Sequence, residues 1–289
     1  MNRRELLIGG TASALLATFG FPKAAFADDN LSVEQTLAAL ESSDVALVGA
    51  GGSLEAKELR QAGIVASAGT SNARMSKTPI AKEAIDLIVY CEVTSPKAYK
   101  RLYSGVYWPG GKSGATCGIG YDVGYTNRDR LSADWSGYIP DRDIDILSKG
   151  CNLVKSKAKN IVSQMSSVRI EYDIAYRQFI EKGAPRYVGE VEDILFNTRL
   201  LSPKSLGALV SLDYNRGASF KAPLGKNKQP DRYTGMRNIY RYMENKEFDK
   251  IPDEIANMAD IWRGEPGSSG LVTRRLLEAK LFREGLSNT

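Results

Sequence analysis

Six glycines fall within the eighteen residues from Trp108 to Tyr125 (WPGGKSGATCGIGYDVGY). No stable helix tolerates that density, because each interior glycine costs roughly 1 kcal/mol relative to alanine. With Pro109-Gly110-Gly111 as a turn, the segment predicts short strands joined by tight loops. Immediately upstream, Ile80, Ala84, Leu87 and Ile88 lie on one face at helical spacing, with Thr78-Pro79 as a cap and first-turn pair. That helix runs into Cys91-Glu92, so an acid ends a helix and a glycine-rich strand follows. Thr116 and Asp122 stand six residues apart on that strand, an even separation that places both side chains on one face.

The chain contains no histidine. A Ser-His-Asp triad, a Cys-His pair and an imidazole-based zinc site are therefore excluded, and proton transfer near neutral pH falls to carboxylates, Lys, Tyr or Cys. The three cysteines, Cys91, Cys117 and Cys151, have no CxxC spacing, which argues against a structural metal. Either Cys91 and Cys117 pair in an oxidising compartment, leaving Cys151 free, or all three are small buried hydrophobes. A net charge of +5 suits an anionic partner but equally a plain solvated surface. No cofactor or metal is called for.

Residues 1–27 have a basic start (Arg3, Arg4), an apolar run from Leu6 to Phe21, and an Ala25-x-Ala27 end, the three parts of a cleavable export signal. The Arg3-Arg4-x-Leu-Leu pattern is similar to a twin-arginine signal. The apolar run is 16 residues long, short of the roughly 20 that span a bilayer, so cleavage and a periplasmic or secreted location are expected without stable membrane insertion.

Beyond the signal, Leu31, Val33, Leu37 and Leu40 predict a short amphipathic helix with Asp28, Asp29 and Asn30 as cap candidates. Val48 to Asn72 is small and polar, and residues 28–75 are read as a flexible segment of unknown role. Gly49-x-Gly51-Gly52 lacks the spacing and the Lys-Ser/Thr ending of a phosphate loop. A second unit spans 76–289. In it Ser202-Pro203 opens a helix that Gly217 ends, and helices are predicted over 232–243, 254–262 and 271–282. The fold class is α+β, mostly helical, with one small β element after the first helix of the unit.

Two carboxylates flanking a hydroxyl match the needs of glycoside hydrolysis, in which one acid protonates the leaving oxygen and a second acts on water or sugar. Glu92 suits the acid, beside Cys91 and at a helix C-terminus, where burial and the helix dipole disfavour the charged form. Asp122 is the second carboxylate, although its setting between Gly120 and Gly124 also fits a simple turn aspartate. Tyr and Trp residues concentrate between Tyr90 and Tyr138, suited to gripping sugar faces or to packing.

Glu92, followed by Trp108-Pro-Gly-Gly-x-Ser-Gly-x-Thr116-x-Gly-Ile-Gly-Tyr121-Asp122-x-Gly-Tyr125, resembles the phage-type lysozymes of glycoside hydrolase family 24, and within them the pesticin-like branch. Downstream, Asp213-Tyr214-Asn215-Arg216-Gly217 resembles the family's buried Asn-x-Gly helix, and Gly270 to Phe282, with Arg274, Arg275 and Glu278, resembles its last helix. The resemblance implies a lysozyme-like fold and a metal-free, inverting muramidase acting on peptidoglycan glycan strands. Glu92 is then the general acid, and Thr116 and Asp122 position water. Trp108, Tyr121, Tyr125 and Asn215 are the implied substrate-binding residues. Tyr121 stands where many such lysozymes carry histidine, and Cys117 replaces a more usual aliphatic residue. The family pattern leaves residues 126–165 unexplained. A monomer that binds no nucleic acid is expected. The competing readings are a glycan-binding scaffold of the same fold and a lytic transglycosylase.

Overall fold

The computed structural model describes residues 31–42, 73–110, 113–223, 231–263 and 269–287. The expected signal, the caps at Asp28 to Asn30, the Gly49–Gly52 cluster and Gly111-Lys112 lie outside the described residues. The described chain is mostly helical, with one two-stranded antiparallel sheet, as the α+β class expected.

The centre is helix α9 (Pro203–Arg216), numbered after α1 (Val33–Ser42), α2 (Lys82–Val93), α3 (Pro96–Leu102), α4 (Arg128–Trp135), α5 (Asp141–Ser148), α6 (Ser156–Ile161), α7 (Tyr172–Gln178) and α8 (Ala184–Ile194). Its local signals are those the sequence carries. The Ser202 hydroxyl accepts a hydrogen bond from the Ser205 amide at 3.2 Å. Pro203 occupies the first turn, and Gly217 closes the helix at φ +69°, both positions that suit those residues. Every residue from Ser205 to Arg216 is buried, which marks a helix surrounded on all sides. Around it pack α2, α8 and the last helix, α12 (Ser269–Leu286), which follows α10 (Thr234–Asn245) and α11 (Ile251–Asn257). Gly207 permits the close approach of α9 to α2, since a β-carbon there would lie 2.3 Å from that of Ala84.

Helix α2 begins later than predicted. Thr78 caps nothing; its hydroxyl donates to Glu192 at 2.5 Å, and the cap position is Ala81. The cause is tertiary. Ser76 and Ala81 donate their amides to the carbonyls of Pro185 and Pro203, which holds residues 76–81 against α8 and α9 ahead of the helix. Ala84, Leu87 and Ile88 still face the core as the spacing required.

The expectation of a flexible segment over 28–75 is not met at α1. Val33, Leu37 and Leu40 are buried against α2 and α12, and the Val33 amide donates to Glu284 at 2.8 Å. The periodicity of these residues was the better guide.

The β element also differs from expectation. Thr116 and Asp122 belong to two strands, β1 (Thr116–Cys117) and β2 (Tyr121–Asp122), and are direct cross-strand partners. Gly118 (φ +57°) and Gly120 (φ +68°) form the turn between them. Those are left-handed positions that ordinary side chains resist. Thr116 and Asp122 still share a face, because directly paired residues do. Tyr107 bridges Thr116 on the other side, exchanging both backbone hydrogen bonds at 2.8 and 3.0 Å. Residues 126–165 form the wall behind this hairpin. Trp135, fully buried, lies under Gly118, and Val154 and Lys155 pair with Gly114 and Ser113.

Candidate active site

Glu92 lies in the last turn of α2, held there by a helix whose apolar face is committed to the core. Its side chain is only 6% exposed, so the expected burial is met. Its surroundings are not purely apolar, however. The Arg274 guanidinium, delivered by α12 from 182 residues away, donates through Nη1 to Glu92 Oε1 at 2.9 Å. The same guanidinium donates through Nε to Glu278 at 3.1 Å and through Nη2 to the Ser211 carbonyl at 3.0 Å. Each of its three nitrogens is thus engaged, which fixes the plane of the group and with it Glu92.

The opposite carboxylate oxygen, Oε2, faces the hairpin. A β-carbon on Gly120 would sit 3.1 Å from it and 2.7 Å from the Tyr214 hydroxyl. Gly120 is therefore required twice, for its backbone angle and for the space it leaves beside the acid. The phenols of Tyr107 and Tyr214 are pushed up, by burial first and then by the negative charge of Glu92. Tyr107 also pairs through its backbone with Thr116, so a Tyr107–Thr116–Asp122 row runs across the hairpin.

Thr116 is buried, and its hydroxyl reaches the Gly114 carbonyl at 3.4 Å. Asp122 accepts from the Gly124 amide through Oδ1 at 2.9 Å and from the Gly114 amide through Oδ2 at 3.1 Å. Both oxygens thereby tie the hairpin together, a role in which glycine is needed at 114, where a β-carbon would lie 2.2 Å from Asp122 Oδ1, and at 124, where it would lie 2.3 Å from the Leu153 carbonyl oxygen.

The four residues assigned to substrate binding separate into two groups. Trp108, beside Tyr107, and Tyr125, at the end of the turn after Asp122, are half-buried and keep exposed surface next to the hairpin. The Trp108 indole donates to the Ser113 carbonyl at 3.0 Å, and Lys159 sits 5.7 Å over its ring. Tyr121 is also half-buried, whereas Asn215 is a correction. The Tyr121 hydroxyl donates to Asp134 at 3.1 Å and its ring packs edge-on to Trp135, so its polar tip is spent inside the protein. Asn215 is fully buried and accepts from Arg275 at 3.0 Å, a structural member of the α9–α12 contact rather than a cleft residue.

The three cysteines carry free thiols. Cys91 and Cys117 are buried and Cys151 is half-buried, so the alternative of three buried thiols holds for two of them, and burial pushes the Cys91 thiol up to about 12. Among the described residues no group of acids and cysteines is arranged to hold a metal.

Sequence reasoning missed the pairing of Arg274 with Glu92 and the part played by Tyr107. Arg274 stood in the α12 motif, but nothing local to it points at an acid so far away. Tyr107 was visible only as one of many aromatics. In comparisons with known proteins, no family model matches the chain and no curated protein matches it.

Proposed function

We propose that the protein is a peptidoglycan muramidase, cleaving the β-1,4 bond between N-acetylmuramic acid and N-acetylglucosamine in a lysozyme-like fold. The observation that carries this reading is a buried glutamate, clamped on one oxygen by Arg274, with its other oxygen turned towards a glycine-spaced hairpin bearing Thr116 and Asp122. Arg274 holds Oε1, so Oε2 is the atom that carries and delivers the proton to the glycosidic oxygen. Thr116 and Asp122 hold the attacking water from the paired strands, and Trp108 and Tyr125 offer ring faces to the sugars. The signal-like residues 1–27 support export to the periplasm or beyond, where this polymer is found.

The test is mass spectrometry of fragments released from purified sacculi. The wild-type protein is expected to release muropeptides with reducing N-acetylmuramic ends. Glu92→Gln is expected to lower release at least 100-fold in a protein that still folds, with a lowered melting midpoint because buried Arg274 loses a carboxylate partner; comparable release by the folded variant removes Glu92 from the chemistry.

One observation favours a second reading. Both Asp122 oxygens are engaged by backbone amides, which fits a turn aspartate and leaves Glu92 as the main reactive acid. A lytic transglycosylase needs only such an acid, and anhydro-muramic ends among the products identify it.

A further inference from the structure

We propose that a groove beside the hairpin, between α3 and residues 162–169, binds the carboxylates of a short acidic peptide, and thereby holds the peptide stem carried by a wall glycan next to the scissile bond. The assignment of that peptide to a glycan strand rests on the hydrolase reading above; the groove's chemistry does not.

The groove encloses about 520 Å³, within the roughly 300–1,000 Å³ typical of small-ligand sites. Lys100 and Arg101, from the last turn of α3, form one side, and Ser163, Ser166 and Arg169 form the other. The two segments that build it, 96–107 and 154–169, contain seven Lys and Arg and no Asp or Glu in 28 residues. At the chain-wide frequency of 34 acids in 289 residues, about three would be expected there. The fold joins these two basic segments directly. Gly105 bridges Arg169, the Ile170 amide donates to the Ser104 carbonyl at 2.8 Å, and the Tyr99 hydroxyl donates to the Ile170 carbonyl at 3.1 Å.

Among the described residues none of the seven cations forms a salt bridge, although ion pairs are plentiful elsewhere on the surface. Arg169 donates instead to the Ser166 and Val168 carbonyls at 2.8 and 2.9 Å, which fixes its guanidinium in the wall without neutralising it. A concave site with one sign of charge concentrates the opposite sign. Val106 and Val162 add apolar surface between the cations and hydroxyls. That mixture fits a peptide of small side chains and free carboxylates, and the volume holds a few such residues rather than a continuous phosphate track. Tyr107 lines the groove and pairs through its backbone with Thr116, so a bound peptide begins one residue from the hairpin row.

Calorimetry on the full-length protein tests this with the synthetic peptide N-acetyl-L-Ala-γ-D-Glu-D-Ala, which carries two carboxylates and no amine, and its fully amidated counterpart. Wild type and Glu92→Gln are expected to bind the acidic peptide equally. The Lys100→Gln/Arg101→Gln protein is expected to bind at least ten-fold more weakly, and Arg101→Glu more weakly still, with thermal melts checking that each is folded. Amidation of the peptide is expected to cause a similar loss. Absence of binding by folded wild-type protein, equal binding by the double variant or the amidated peptide, or tighter binding of a single-stranded oligonucleotide of the same charge overturns the proposal. A protein that binds the peptide through Lys100 and Arg101 but releases nothing from sacculi upholds the groove and overturns the hydrolase reading alone.

Discussion

Arg274 is fully buried and touches two carboxylates, those of Glu92 and Glu278. Neighbouring Arg275, also fully buried, pairs with Glu278 at 2.9 Å, and Ser211 donates to the same glutamate at 2.7 Å. Such a cluster contributes little net stability over an apolar core of the same shape, but removing one member leaves charge buried without its partner. Arg274→Ala is therefore expected to destabilise the protein by about 3–5 kcal/mol, measurable by denaturant unfolding, and to lower glycan release further than the stability loss explains. A variant of unchanged stability would mean that Glu92 and Glu278 do not depend on Arg274. Glu92, Thr116 and Asp122 stand out in the sequence as candidates, because a helix end and a glycine-spaced strand are local patterns. Their engagement could not be read from the sequence. The partner of Glu92 lies 182 residues downstream, and the occupation of both Asp122 oxygens depends on how Gly114 and Gly124 fold around it.

At the scale of elements, local signals succeeded where tertiary contacts agree with them. Helix α9 begins at Ser202-Pro203 and ends at Gly217 because capping, proline geometry and a left-handed glycine all act within a few residues. The start of α2 was misread because the carbonyls of Pro185 and Pro203 and the Glu192 carboxylate, all distant in sequence, hold residues 76–81 ahead of the helix. The turn between β1 and β2 was half legible. The glycine density predicts short strands and tight loops, but only the pairing of Thr116 with Asp122 reveals a reversal of direction between them. Helix α1 gives the element-scale prediction. Leu40 is 1% exposed, so Leu40→Ala is expected to cost about 2–5 kcal/mol, read as a fall in the denaturation midpoint. A change below about 0.5 kcal/mol, the range of ordinary surface substitutions, would show that α1 does not contribute to the core.

The whole molecule keeps several protons through burial. The Cys91 thiol is pushed up to about 12, and the Cys117 thiol and the Tyr90 and Tyr99 phenols are raised as well, burial being the first cause in each. An unfolded chain sheds thiol protons from about pH 8.5 and phenol protons from about pH 10. Between those values and the higher folded ones the native state holds more protons, so this contribution is complete below about pH 8.5 and declines as pH rises. A melting temperature that falls from pH 8 to pH 10.5 is the expected result; a flat or rising profile contradicts it. The same burial predicts that one thiol, half-buried Cys151, reacts with an alkylating reagent in native protein at pH 8, and all three react in denaturant. Rapid native labelling of Cys91 or Cys117 would contradict their burial.

Helix α12 is the last described element of the chain, and its side chain grips the acid carried by α2 near the start of the folded body. The acid is thus synthesised early and its clamp late. A ribosome that stalls or terminates before codon 274 yields a polypeptide with Glu92 and the entire hairpin but without the guanidinium that orients the acid. Such a truncated product keeps the acid without the group that holds it, so under the proposed hydrolase activity it is inactive until Arg274 has been added.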